Sequence, residues 1–135
     1  NIDSLSVAAT EDPTLSRMTI VTRGGAAELE QITKQLNKLV EVVKVVVLND
    51  SRYVERELML VKIRAVGKDR DEILRLAGIF RGQIVDVSEK TFTVEVTGTS
   101  EKLDSFADII PKGLVLETVR TGAAGIGRGE RILRI

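Results

Sequence analysis

The chain has no cysteine and no histidine. The first absence excludes a disulfide framework and thiolate chemistry. The two together exclude Cys/His dyads, histidine-based triads and the commonest zinc sites. Aromatic residues make up only 3% of the sequence, so any core must be built from Val, Ile and Leu. Proline occurs only twice, which leaves long segments free to form regular structure. Neither charge sign is in excess, because 20 basic residues face 20 acidic ones. A balanced charge offers no broad electrostatic grip on nucleic acid or anionic lipid. No apolar run approaches the roughly 20 residues needed to span a bilayer, and no signal peptide is visible.

What is present fits a folded protein. With 43% hydrophobic and 30% charged residues in 135, the composition suits one ordinary domain or two small ones. Leu5, Val7 and Ala9 alternate with Ser4, Ser6 and Ala8, the period of a half-buried strand. Glu11-Asp12-Pro13 reads as a turn, and Leu15 to Thr22 as the return strand of a hairpin. Leu29, Ile32, Leu36 and Leu39 then mark a helix over about residues 26–40. The β-branched run Val42 to Leu48 predicts a buried strand, and the polar stretch Asn49 to Arg56 a linker.

Beyond the linker, Met59, Val61, Ile63 and Ala65 share one face of a strand that Gly67 ends. Asp69 and Glu72 have the spacing of a helix N-cap and its reciprocal acid, and Ile73, Leu76, Ala77 and Phe80 form the buried stripe. Gly82 stops that helix. Ile84 to Ser88 and Thr91 to Thr97 follow as strands. Thr99-Ser100 caps a helix whose stripe is Leu103, Phe106, Ala107 and Ile110. Leu114 to Thr121 is the last strand, before a glycine-rich tail.

The second unit therefore reads β-α-β-β-α-β, the ferredoxin-like order. The first reads β-β-α-β, the last four of those six elements, as though the sequence begins inside a module. The fold expected is α+β: two ferredoxin-like units with antiparallel sheets, the first lacking its opening strand and helix. Residues 1–50 form the first domain and 51–135 the second.

Candidate sites are few. Gly125-Ile126-Gly127-Arg128-Gly129 lacks the helix that must follow a dinucleotide loop, so it reads as a flexible tail or docking segment. Asp69, Asp71 and Glu72 suit the first turn of a helix, where the dipole favours negative charge. Glu55 and Glu57 flank Arg56 and read as solvated. Arg128, Arg131 and Arg134 could grip an acidic surface of a partner.

Several segments, in order, resemble the regulatory subunits of acetohydroxyacid synthase. They are NIDSLSVAATEDPTLSRMTIVTRG, EQITKQLNKLVEVVKV, ERELMLVKIRA, RDEILRLAGIFRGQIVDVSEKTFTVEVTGTSEKLDSF and RTGAAGIGRGE. DPTLSRMTI and IFRGQIVDV are the most specific of these. The resemblance implies a partial ACT domain followed by a ferredoxin-like domain, and a homodimer through the ACT sheets. It implies a non-catalytic chain that activates a catalytic large subunit and confers feedback inhibition by valine or another branched-chain amino acid. Thiamine diphosphate, magnesium and FAD would belong to the large subunit, with no cofactor in this chain. The effector position carried over falls on Asn1, with Ile2 beside it, and an amide there can donate to a carboxylate and accept from an ammonium. The family's other effector contacts lie on a glycine-containing loop that this sequence does not include. A bacterial cytoplasm is the setting implied, a plastid the alternative. A free-standing ACT-type amino-acid sensor controlling another enzyme or transcription factor is the rival reading. An RNA-binding module on this fold is disfavoured by the scarcity of aromatics for base stacking.

Overall fold

A computed structural model describes residues 2–133. The chain divides into two compact units, Asn1–Glu55 with Ala124–Ile135, and Arg56–Ala123. The mixed fold with antiparallel sheets follows the expected class.

The second unit holds the core. Strand β3 (Tyr53–Arg64) carries Met59, Val61 and Ile63 on one face, each at most 1% exposed. They face Val96, Val94 and Phe92 of β5 (Thr91–Gly98) in antiparallel register. Strand β4 (Gln83–Val87) flanks β5, with a bulge between Ile84 and Asp86. Strand β6 (Val115–Arg120) flanks β3 on the other side. The sheet order is β4-β5-β3-β6, which puts the unit's opening strand beside its last. Helix α2 (Lys68–Ile79) adds Ile73, Leu76 and Ala77 to the core. Helix α3 (Ser100–Ile109) adds Leu103 and Phe106, and Ile110 follows at its end. Burial of each of the Ile, Leu and Phe side chains stabilises the unit by roughly 1.5–3 kcal/mol, and that of Ala77 by less. Phe80 closes the cluster edge-on to Phe106, with ring centroids 5.3 Å apart.

The helix ends differ from expectation in instructive ways. Thr99 caps α3 as expected, its hydroxyl accepting from the Lys102 amide at 3.2 Å. Helix α2 starts earlier than the Asp69 cap predicted. Gly67, at φ +59°, turns the chain, and its carbonyl accepts from the Arg70 amide. Glu72 pairs instead with Arg75, one helical turn on. At the other end the left-handed residue is Arg81 (φ +57°), not Gly82. Gly82 is needed for closeness: a Cβ there would lie 3.1 Å from the Glu95 carbonyl oxygen and from Val94 and Val96 methyls. Arg70 ties the start of α2 to the β4–β5 turn. It donates to the carbonyls of Ala65, Ser88 and Glu89 and lies over the Phe92 ring.

In the first unit, β1 (Ile2–Ala9) and β2 (Ser16–Thr22) form a hairpin, with Leu5 opposite Ile20 and Val7 opposite Met18. Its loop is closed by Thr10 and Leu15 and by Asp12, whose carboxylate accepts from the Thr14 amide and hydroxyl. Helix α1 (Ala26–Asn37) ends three residues short of expectation. The expected buried strand over 42–48 does not form. The chain runs without a ladder to a short 3-10 turn, Leu48–Asp50, and Val43 and Val46 are exposed. The second unit supplies the reason. There the last strand pairs with the opening strand, and residues 2–55 contain no counterpart of that strand. The expected linker is also shorter, since β3 already begins at Tyr53. The glycine-rich tail, expected as a flexible tail or a docking segment, is not loose over its first part: it forms strand β7 (Ala124–Gly127), which pairs with β3 and belongs to the first unit.

Candidate functional site

Of the two residues singled out as an effector position, Asn1 lies outside the described residues. Ile2 opens β1, faces Thr22 at the end of β2, and is 63% exposed. A bulge between Ile2 and Ser4 shifts the register there. Asp3 and Arg23 form an exposed ion pair at 2.9 Å beside it, and Gly24 continues the chain at φ +134°. This end of the hairpin thus carries an exposed ion pair and, one residue away in the chain, an exposed apolar side chain.

The body of the hairpin is fastened from an unexpected direction. Arg17 of β2 donates to the Gly125 carbonyl at 3.0 Å, and the Gly125 amide donates to the Thr19 hydroxyl at 3.3 Å. Leu48 presses on the same glycine, where a Cβ would meet its Cδ1 at 2.6 Å. Further on, the Arg128 amide donates to the Arg52 carbonyl. The Arg131 guanidinium spans the carbonyls of Val47 and Leu48 at 2.9 and 3.1 Å. Arg131, one of the tail arginines assigned to a partner's surface, is therefore occupied by main chain of its own unit. Arg134 lies outside the described residues.

A second constellation was missed in the sequence. Glu57, read there as solvated, is 6% exposed. Arg120 grips it with two parallel hydrogen bonds of 3.0 Å. The Ser100 hydroxyl donates to it at 2.9 Å and the Gly122 amide at 3.2 Å. Arg120 also reaches Asp104 at 2.6 Å. The guanidinium holds the Glu57 carboxyl below its ordinary range, against the upward push of burial, and Ser100 and Gly122 reinforce it. The Arg120 guanidinium is raised in turn, chiefly by Glu57. One signal was legible: Glu57 shares the parity of Met59, Val61 and Ile63, and so faces inward once the strand begins before it.

Among the described residues, no group of three or more His, Cys, Asp or Glu side chains is placed to hold a metal ion. No helix is long and apolar enough to cross a membrane. Glu57 is fully engaged by structural partners, and Asp69 and Asp71 lie in the first turn of α2.

Fold and sites together define a two-unit α+β protein whose marked features are an exposed ion pair at the open end of a hairpin in the first unit and a buried ion pair in the second. Comparison with known proteins makes the class specific. Residues 1–44 match the family model of the acetohydroxyacid synthase (AHAS) small subunit-like ACT domain, and residues 56–129 that of the small subunit of acetolactate synthase. The acetolactate synthase small subunit of Haemophilus influenzae is 55% identical over 132 residues, covering 97% of this chain and 81% of that protein. The isozyme 3 small subunit of Escherichia coli K12 is 54% identical over 135 residues, covering 99% and 83%. The crystal structure of the Thermotoga maritima small subunit superposes with a TM-score of 0.87 at 42% identity, covering 97% of this chain and 82% of that one. The chain belongs to the acetolactate synthase small-subunit family, the regulatory partners of that enzyme's catalytic subunit.

Proposed function

We propose that this chain raises the activity of its catalytic large subunit and makes that activity sensitive to valine. Valine, or another branched-chain amino acid, binds where two copies of the first unit meet, against Asn1 and Ile2. The observation that supports this reading is the family match over residues 1–44, whose hairpin ladder begins at Ile2. The apolar side chain of Ile2 suits a branched aliphatic ligand, and the Asn1 amide suits its polar end. Thiamine diphosphate, FAD and magnesium belong to the large subunit, which performs the carbon–carbon chemistry. The complex works in the cytoplasm.

Regulation follows from linkage. Valine favours the arrangement of the small-subunit dimer that activates less, and it shifts the equilibrium only by its difference in affinity between the two arrangements. The test is acetolactate formation by the cognate large subunit, with and without the full-length small subunit, each with and without valine. Activation by the small subunit, reversed by valine, is the expected result. An unchanged rate in all four conditions would overturn the reading and favour a free-standing sensor. Asn1→Ala should keep activation and lose the valine response.

A further inference from the structure

Helix α2 ends in a cap whose turning position ordinarily takes glycine. The Gly82 amide donates to the Ala77 carbonyl at 2.7 Å, and the Arg81 amide to the Gly78 carbonyl at 3.1 Å. That pair of bonds leads the chain out of a helix by placing one residue in the left-handed region. Here the residue is Arg81, at φ +57°, and among the described residues it is the only one other than glycine with a positive φ. A Cβ crowds the backbone in that conformation, whereas glycine adopts it freely.

The second unit gains little from this strain. The Arg81 side chain is exposed, and among the described residues its guanidinium has no ion pair, hydrogen bond or ring contact. A positive charge near a helix C-terminus is favourable, but it offsets only part of the backbone cost. An arginine one turn earlier would secure that gain without strain, and the last turn of α2 carries no basic residue. The flanking sequence is apolar and open. Ile79, two residues earlier, is 60% exposed, and Arg81 leads into β4, an outer strand of its sheet, where Val85 and Val87 are exposed. An arginine in a stretch of exposed aliphatic side chains has the make-up of an interface centre. Strain held at one exposed residue, with no return inside the fold, points to a function for its side chain.

We propose that Arg81 is a contact residue for the catalytic large subunit, its guanidinium pairing with a carboxylate set in an apolar patch of that subunit. The planar fork of N–H donors matches a carboxylate with two parallel hydrogen bonds. The proposal rests on the reading that this chain partners a catalytic subunit. That reading puts the contact between copies on the first unit, which leaves this corner of the second for the catalytic subunit.

The test titrates the purified catalytic subunit with the full-length small subunit, following acetolactate formation and, separately, the mass of the complex by sedimentation. The wild type is titrated first. A rate and mass that it leaves unchanged would refute the partnership reading, and the proposal with it. Arg81→Gly should unfold at a higher urea concentration than the wild type, yet need about tenfold more protein for half-activation. Opposite signs for stability and affinity separate a contact residue from a structural one. Arg81→Asn, which also tolerates the left-handed backbone, should weaken binding to the same degree. Arg81→Lys should keep only part of the wild-type affinity, since an ammonium lacks the planar fork. Lys68→Gln removes the same charge from the opposite end of α2 and should leave half-activation unchanged. Unchanged half-activation in Arg81→Gly, lower stability in that variant, or an equal loss in Lys68→Gln would each overturn the proposal. So would a small-subunit dimer that weakens while binding to the catalytic subunit holds, which would assign this corner to a second copy.

Discussion

Replacing Arg120 with Met should be among the most damaging single changes near the surface of the second unit. The guanidinium is the largest stabilising influence on the Glu57 carboxylate, whose side chain is 5% exposed while that of Arg120 is 30% exposed. Removing it leaves a nearly buried negative charge with the Ser100 hydroxyl and the Gly122 amide. Breaking a buried pair from one side costs about 3–5 kcal/mol, and the partial exposure of Arg120 points to the lower end, about 3 kcal/mol at neutral pH. The lost contact to exposed Asp104 adds less than about 1 kcal/mol. The sign of the pH dependence is fixed by the direction of the shift. In the wild type the folded Glu57 carboxyl titrates below its unfolded value. Its contribution is therefore complete above the unfolded value and is lost as pH falls through the folded one. In Arg120→Met the main lowering influence is gone and burial pushes the carboxyl upward, so the neutral form is tolerated. The gap in stability between variant and wild type should then narrow as pH falls from 7 toward about 4. Urea unfolding across that range measures it. The double variant Glu57→Gln/Arg120→Met should recover part of the loss. A cost below about 1 kcal/mol at pH 7, or a gap that does not change with pH, would refute the buried-pair reasoning.

Further outcomes follow from the same structure. Thr99→Ala removes the hydroxyl cap of α3 and should cost about 1 kcal/mol in urea unfolding. Phe106→Ala empties the centre of the core against Phe80 and should cost about 3–5 kcal/mol in the same assay. Arg81→Gly should stabilise the chain by about 1 kcal/mol, since it relieves a left-handed backbone at the end of α2, whereas Gly82→Ala should destabilise it by crowding β5.

The sequence made the second unit nearly transparent, and physical reasons explain both that and the failures. Strands β3 and β5 have one buried face and one open face, so alternation shows directly in Met59, Val61, Ile63 and in Phe92, Val94, Val96. The stripes of α2 and α3 were legible for the same reason. Segment 42–48 misled because a β-branched run states a preference for a ladder, while the ladder itself depends on a neighbour that residues 2–55 do not provide. The tail misled in the opposite sense. Its glycines look like looseness, yet Gly125 is a point of close backbone approach whose partners lie more than 70 residues away along the chain. Glu57 is hidden because the polar stretch to Arg56 reads as a linker, whereas β3 begins at Tyr53 and carries Glu57 inward with the parity of Met59. The effector position was legible only through resemblance. Nothing in the local pattern of Asn1 and Ile2 distinguishes a ligand contact from a chain end.

None of the described residues of the first unit is buried, while the second unit holds a complete core. The two halves should therefore respond to stress by different laws. The second unit melts as an ordinary domain, at a temperature independent of protein concentration. In the first, Leu5, Val7, Met18, Val40 and Val43 are exposed, so its midpoint should rise with protein concentration where a second copy covers them. For a half ordered by a second copy, dilution acts as a denaturant, whereas it leaves a self-contained domain untouched.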